Sequence, residues 1–205
     1  MANPSGSDAH VRHQPGAAQS ALFSWLRLRP TRSMKLSDDD FTLFDLPRRQ
    51  ALDVQLLDQR WKALQAEVHP DRFASEGVAA QRLAMQWAVR VNEAYRRLKQ
   101  PLSRAAYLCE LHGEPVQAEN NTAMPAAFLM QQMSWREELE DAHTLEQVEA
   151  LADDVATHER QLIAQLAAVI DQRQDWPAAA AQVRALMFVA RFVADVDRRL
   201  DALGQ

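Results

Sequence analysis

The chain has 205 residues and a formal net charge of −5, with 47% hydrophobic and 25% charged residues. These are ordinary values for a globular protein, and five glycines are too few for a turn-rich all-β chain or a collagen-like one, so we expect an all-α fold. No run approaches the roughly 18 uninterrupted apolar residues of a membrane-spanning helix, and the acidic balance argues against general nucleic-acid binding. The single cysteine, Cys109, supports neither an internal disulfide nor a thiolate zinc site, which favours a reducing, cytoplasmic setting.

Residues 1–36 read as a leader outside the folded part. They contain three prolines, four arginines, one aspartate and no apolar period longer than Ala21-Leu22-Phe23. This composition predicts disorder. Three readings stay open: a nonfunctional tail, a misassigned upstream start with Met34 as the true one, or a mitochondrial transit peptide, since the segment has arginines and serines but almost no acids.

Residues 37–112 predict a helical hairpin with a shorter helix on each side. An apolar segment ending at Pro47 leaves room for at most one short helix. The first hairpin helix starts at the N-cap Asp53, carries apolar residues at three- and four-residue steps, and stops before Pro70. The second runs over about 78–99, and the two bury their apolar faces against each other.

A further helix is predicted from Pro101 to His112, where Gly113 is placed as a left-handed terminator. Cys109 lies on the apolar side of this helix. We therefore interpret it as a small buried residue and not as a reactive thiol.

The tip of the hairpin carries the sharpest signal in the chain. His69, Pro70 and Asp71 join an imidazole, a rigid proline and a carboxylate in one short turn. Proline followed by aspartate is also ordinary turn chemistry, and a bare tripeptide arises by chance in some chains. The surrounding residues make chance a poor explanation, because the segment resembles a J-domain at Phe44, Leu46, Arg72-Phe73, Val91-Asn92-Glu93-Ala94-Tyr95, Leu98, Pro101-Leu102, Arg104-Ala105 and Tyr107.

The J-domain resemblance implies that the hairpin docks on the ATPase of a DnaK-type chaperone and stimulates ATP hydrolysis. It assigns the contact to His69, Pro70 and Asp71. A fixed loop loses little entropy on docking, and a carboxylate accepts a strong bidentate hydrogen bond from a partner arginine. Arg60 and Lys62 on the first hairpin helix complete the predicted chaperone-binding set, but nearby acids weaken the electrostatic steering we expect from them.

Residues 113–205 carry 16 acidic and only 7 basic side chains and predict a three-helix bundle. Pro125 suits the first position of a helix, Thr144 and Gln147 form a capping box, and Trp176-Pro177 opens the last helix. His158 falls within the apolar row of the middle helix. A packed histidine is therefore favoured over a metal ligand, and we expect no metal site and no cofactor.

The first helix of this bundle has two apolar faces. Phe128, Gln132, Trp135 and Leu139 share one side, while a second apolar set lies roughly 100 to 200° away on the helical wheel. That second set is Leu129, Met130 and Met133, beside Glu137, and Phe188 on the last helix also points away from its own apolar row. The second face either packs on the J-like domain or is exposed as a binding patch.

The span from about 40 to 203, four fifths of the chain, resembles the HscB family of J-type co-chaperones of iron–sulfur cluster biogenesis. The matching segments are Phe128-Leu129-Met130, Arg136-Glu137-Glu138-Leu139 and Val183-Arg184-Ala185-Leu186. The resemblance implies an L-shaped arrangement of the two domains. It also implies binding of the scaffold protein IscU through Leu129, Met130, Met133 and Phe188, with Glu137 at the rim, and presentation of IscU to the chaperone HscA.

Two positions depart from the family pattern, since Ser134 stands where an acid is common and Met187 where a base is common. These departures put ion pairs there in doubt but leave the apolar contact intact. No cysteine-rich zinc module precedes the J-like segment, which favours a bacterial-type protein.

Two other classes of function fit the sequence less well than this adaptor. A general J-protein with unrelated clients keeps the hairpin but has no reason for the two-faced helix. A helical hydrolase or metalloenzyme needs converging acids, bases or ligands, and the six histidines form no recognised pair. We therefore expect a co-chaperone with no catalysis of its own.

Overall fold

The computed structural model describes residues 34–117 and 124–204, and every regular element within these ranges is helical. The expected all-α class is confirmed. Residues 1–33 lie outside the described part of the chain. The described ranges contain seven α-helices: α1 (Asp40–Leu43), α2 (Val54–Val68), α3 (Val78–Lys99), α4 (Pro101–Leu111), α5 (Ala126–Asp141), α6 (Leu145–Ala168) and α7 (Trp176–Leu203).

The hairpin of α2 and α3 forms where the sequence predicts it. The Asp53 carboxylate accepts the backbone N–H groups of Gln55 at 2.9 Å and Leu56 at 3.0 Å, which satisfies donors that the first turn of a helix leaves unpaired. The helix ends at Val68 with His69 as its C-cap, since Pro70 cannot continue it. The buried residues of the two facing stripes are Leu57, Leu64, Val68, Trp87, Val91, Ala94 and Leu98.

The packed part of the chain includes residues before 37, where the sequence places the domain boundary. Met34 is buried in the core, and the guanidinium of Arg90 donates to the carbonyl oxygens of Leu36 at 3.3 Å and Asp38 at 2.8 Å. The fully buried Asp40 forms an ion pair with the same arginine at 2.7 Å. These contacts attach the chain entry and α1 to the middle of α3.

The helix α4 ends in the motif that the sequence predicts. Gly113 has a φ of +79°, a left-handed conformation that favours glycine. Its N–H donates to the carbonyl of Glu110 at 3.0 Å, and the N–H of Glu114 donates to that of Cys109 at 2.9 Å. This pair of hydrogen bonds is a Schellman cap, which satisfies the last carbonyls of the helix.

The antiparallel pair of α6 and α7 packs against different helices of the chain at its two ends. Near the connection between the two helices, their apolar residues join α4 and the α2–α3 hairpin in one continuous core. At the opposite end they form a second cluster with α5. The residues of α6, α7 and their connection within the shared core are Leu166, Val169, Ile170, Ala179, Ala180, Val183 and Leu186. The bundle is therefore packed directly on the N-terminal helices.

The connection after α6 differs from the sequence-based expectation. The apolar row of the middle helix predicts an α-helix through residue 169, but Val169–Arg173 winds as a π-helical turn. Val169 and Ile170 in this turn are buried. The turn also directs the Asp171 carboxylate to the backbone N–H groups of Gln50 at 2.7 Å and Ala51 at 2.8 Å, in the loop before α2. Burial and these two hydrogen bonds offset the weaker geometry of a π turn.

Candidate functional site

The His-Pro-Asp sequence forms a tight turn at the exposed end of the hairpin. His69 has φ −62° and ψ 127°, so it leaves the helical region just before the proline, and a 3-10 turn follows over Pro70–Phe73. The side chains of His69 and Asp71 are 55% and 89% exposed. The tip therefore presents an imidazole and a carboxylate to solvent on a backbone of fixed shape.

One hydrogen bond within the turn orients the imidazole of His69, and another holds its backbone. Nδ1 of His69 accepts the backbone N–H of Asp71 at 3.4 Å, and the carbonyl of His69 accepts the N–H of Arg72 at 3.1 Å. A neutral ring that accepts at Nδ1 carries its proton at Nε2. The His69 side chain thus offers a hydrogen-bond donor, while the Asp71 carboxylate offers acceptors.

Two residues after the tripeptide hold the turn against the hairpin. The ring of Phe73 is buried in a small cluster with Ala80 and Ala84 of α3. The guanidinium of Arg72 donates to the carbonyl of Ala66 on α2 at 3.3 Å. Each hairpin helix therefore anchors the turn, which lowers the entropy it loses on binding a partner.

The two cations proposed on α2 are not equivalent. The guanidinium of Arg60 donates to the carbonyl oxygens of Phe44, at 2.6 Å, and Asp45, and it forms an ion pair with the Asp45 carboxylate at 3.1 Å. Arg60 thus holds the loop after α1. Lys62, in contrast, is exposed. All of the Arg60 bonds use Nη1, so this nitrogen holds the fold, and the contact of Arg60 with a chaperone stays a prediction.

The inner face of α5 packs on the α6–α7 pair through Trp135. This ring is 1% exposed, stacks on Phe192 with 5.8 Å between ring centroids, and meets His158 edge-on at 5.0 Å. Its Nε1–H donates to the carboxylate of Asp154 at 3.0 Å. His158 is thus a packed residue, as the sequence predicts.

The opposite face of α5 is apolar and exposed. Leu129 is 49%, Met130 is 71% and Met133 is 61% exposed, and we call these three residues the outer patch. Three- and four-residue spacings place them on one side of the helix. The sequence left two arrangements open for this second face, and the structure has it exposed and not packed on the hairpin domain.

The other proposed scaffold-binding residues lie beside the outer patch or on another helix. Glu137 is exposed one turn after Met133 on α5. Phe188 lies on α7 and is half-buried, with the guanidinium carbon of Arg191 at 5.5 Å from its ring centroid. That distance is within cation–π range, so an arginine partly covers the ring. Phe188 therefore has less apolar surface available for a binding partner than its position outside the apolar row of α7 predicts.

Cys109 is buried, and burial is the main cause that raises the pKa of its thiol to about 11. The thiol is therefore protonated at neutral pH and unreactive. Across residues 34–117 and 124–204, no group of three or more histidine, cysteine, aspartate or glutamate side chains is placed to hold a metal ion. In the same ranges, no helix is long and apolar enough to cross a membrane.

No sequence pattern indicates the structural role of Asp171. Its carboxylate ties the turn after α6 to the loop before α2, and the side-chain amide of Gln50 in that loop donates to the carbonyl of Pro101 at 2.9 Å. His112 and Trp176 stack beside this junction with 3.7 Å between ring centroids. These contacts set the position of α2, which carries the tip, on the bundle.

A helical hairpin with an exposed His-Pro-Asp turn, joined to a C-terminal helical domain, defines a J-domain protein. Residues 124–197 match the family model described as the HSCB C-terminal oligomerisation domain. A protein of Burkholderia mallei named co-chaperone protein HscB homolog is 49% identical over 173 residues, which cover 83% of this chain and 98% of that protein. The chain belongs to the HscB family of co-chaperones.

Further comparisons agree with this assignment. A protein of the same name from Paraburkholderia phymatum is 48% identical over 171 residues, which cover 82% of this chain and 97% of that one. The solved structure of chaperone HscB from Vibrio cholerae matches with a TM-score of 0.70 and 38% identity, covering 81% of this chain and 99% of that chain. Human co-chaperone HscB matches with a TM-score of 0.76 and 24% identity over 81% of this chain and 84% of that one, a likeness of fold.

Proposed function

We propose that this co-chaperone binds the iron–sulfur scaffold protein IscU, delivers it to the DnaK-type chaperone HscA and stimulates the ATPase of HscA, aiding iron–sulfur cluster assembly and transfer. The observation that carries the proposal is a pair of exposed surfaces of different chemistry, one on the α2–α3 hairpin and one on a bundle whose α6–α7 pair is packed into the same core as that hairpin. One is the polar His-Pro-Asp turn, and the other is the outer patch of α5.

The proposed chaperone contact rests on the chemistry of the tip. The exposed Asp71 carboxylate is available to accept charge-assisted hydrogen bonds from a partner arginine, and Pro70 keeps it in one position. Lys62 adds an exposed positive charge on α2. In this proposal Arg60, which also holds the loop after α1 through Nη1, belongs to the same contact with HscA.

The proposed scaffold contact rests on the apolar chemistry of α5. Contiguous exposed apolar side chains are typical of protein-binding sites, and methionines adapt to the shape of a partner. We propose that IscU covers Leu129, Met130 and Met133, with Glu137 at the rim and Phe188 contributing from α7. This contact has the same kind of core and polar rim as other protein interfaces.

The proposed adaptor acts by joining the two binding surfaces in one folded chain. When one chain holds both partners, IscU is presented to HscA at an effective concentration set by the geometry and not by diffusion. A weak direct contact between IscU and HscA then becomes productive, and ATP hydrolysis is coupled to delivery. In this proposal, the chain itself catalyses no reaction.

An ATP turnover assay with HscA, IscU and this chain tests the proposal. Asp71→Asn or His69→Gln is expected to abolish stimulation and leave IscU affinity unchanged, because the tip and the patch are on different domains. Leu129→Ala with Met130→Ala is expected to weaken IscU binding about 30-fold, since covering the exposed part of each side chain contributes about 1 kcal/mol. Met85→Ala is the matched control, because Met85 is similarly exposed but lies on α3.

Two results would contradict the proposal. Equal loss of IscU binding and of stimulation in every variant would show that the two surfaces do not act separately. Stimulation of HscA to the same level with and without IscU, combined with no measurable IscU binding, would favour a general J-protein that serves other clients.

A further inference from the structure

We infer that Met130 and Met133 are a reversible oxidation site at which peroxide converts the outer patch from apolar to polar and so releases the scaffold. The inference rests on the proposed function, because it assigns a regulatory modification to the same patch. It would make scaffold delivery sensitive to oxidants while the J-domain keeps its activity.

The positions of the two thioethers favour their oxidation. Met130 and Met133 are among the most exposed apolar side chains of the described residues, and their three-residue spacing puts both on one face of α5. Met34, by comparison, is buried in the core. Sulfoxide formation requires access of the oxidant to sulfur, so exposure selects the patch over the core.

The single cysteine of the chain does not compete for the oxidant. Cys109 is buried, and the raised pKa of its thiol keeps the sulfur protonated, whereas the thiolate is the form that peroxide attacks. An oxidant that reaches the described part of the chain therefore meets the exposed thioethers first. We therefore assign the reaction with peroxide to the exposed methionines and not to Cys109.

The chemistry is a two-electron transfer of oxygen. The thioether sulfur attacks one oxygen of hydrogen peroxide, the O–O bond breaks, an S–O bond forms, and the other oxygen leaves as water with both protons. Sulfur is oxidised and peroxide is reduced. The reverse step uses two thiols of a methionine sulfoxide reductase, which become a disulfide while the sulfoxide oxygen leaves as water.

Each sulfoxide changes the patch in the same direction. It adds a strong hydrogen-bond acceptor to an apolar side chain, and covering that acceptor with an apolar partner surface leaves it unpaired. We therefore expect oxidation to weaken scaffold binding at least tenfold. Bound scaffold should protect the two methionines, because their sulfur atoms are then covered.

The test treats the full chain with hydrogen peroxide, maps sulfoxides by peptide mass spectrometry and measures IscU affinity before and after. The readout is the ratio of the two affinities within each protein, so a change in starting affinity does not affect it. The wild-type ratio should fall at least tenfold and recover with methionine sulfoxide reductase. The ratio should stay near one in Met130→Leu with Met133→Leu, while the control Met85→Leu should behave as wild type.

Each alternative result decides between the two proposals. Unchanged IscU affinity after both methionines are oxidised overturns the inference alone, as does an equal loss in the double leucine variant. Oxidation of Met85 without oxidation of Met130 or Met133 also overturns it. Failure of the unoxidised chain to bind IscU overturns the proposed function, and the inference falls with it.

Discussion

Removing the Asp171 carboxylate tests how firmly the bundle holds the J-domain. The carboxylate accepts one backbone N–H from Gln50 at 2.7 Å and one from Ala51 at 2.8 Å, across 121 and 120 positions of sequence. Asp171→Ala deletes both acceptors. Gln50 is only 2% exposed, so water replaces the lost acceptor poorly at this residue, whereas Ala51 is exposed and regains a water partner.

The loss of unfolding free energy depends on the different solvent exposure of Gln50 and Ala51. A hydrogen bond to a charged group contributes about 1.5 to 3 kcal/mol, and less where water competes. We therefore expect Asp171→Ala to lower the free energy of unfolding by about 2 to 3 kcal/mol, most of it from the Gln50 bond. Asp171→Asn keeps one oxygen acceptor, so a loss of about 1 kcal/mol is expected.

Urea denaturation followed by circular dichroism measures this change. Asp201→Ala is the control, because Asp201 is exposed near the end of α7 and its removal should alter stability by at most about 0.5 kcal/mol. Hydrogen exchange should speed up at the amides of residues 50 and 51 in the Asp171 variants. A stability for Asp171→Ala equal to that of the control, with exchange unchanged, would refute the reasoning.

Three further expectations concern stability and reactivity. Trp135→Ala should lower the free energy of unfolding by about 3 to 5 kcal/mol in the same denaturation assay, because it empties a fully buried site. Cys109 should resist alkylation at pH 8 in the native protein and react rapidly in urea, as its raised pKa and burial require. Burial raises the pKa of Asp39, but hydrogen bonds from Arg48 and Thr42 outweigh it and lower the pKa below 3.8. Asp39 therefore stabilises the fold above that pH and loses this effect as pH falls, so Asp39→Asn should flatten the acid limb of the stability profile.

The parts of the fold that the sequence predicts are those fixed by neighbouring residues. Asp53 caps α2, Thr144 and Gln147 form the capping box of α6, and Gly113 ends α4, each as expected. Such signals depend on hydrogen bonds within a few positions of the chain, so they can be recognised without knowledge of the tertiary structure. The two faces of α5 were predicted in the same way, from helical periodicity alone.

The parts that the sequence did not predict depend on distant contacts. Arg60 bonds to carbonyls 15 and 16 positions earlier, which only the packing of α1 brings within reach. Nothing in the pattern around Asp171 marks a partner 121 positions away, and the apolar row gave no sign of the π turn. Met34 is an isolated apolar residue at the edge of a polar segment, so its place in the core was equally hidden.

The shared core also constrains how this protein can change. The interface between α4 and α7 is apolar and buried, and its residues include Ala105, Leu108, Cys109, Ala180 and Val183. Without the other, the J-domain and the bundle would each expose these apolar residues to water. Because this interface is closely packed, a larger side chain on α4 requires a smaller one on α7, and the reverse. Exchanging this J-domain for a foreign one would therefore bring together surfaces that never adapted to each other, and the two halves must diverge in step over evolution.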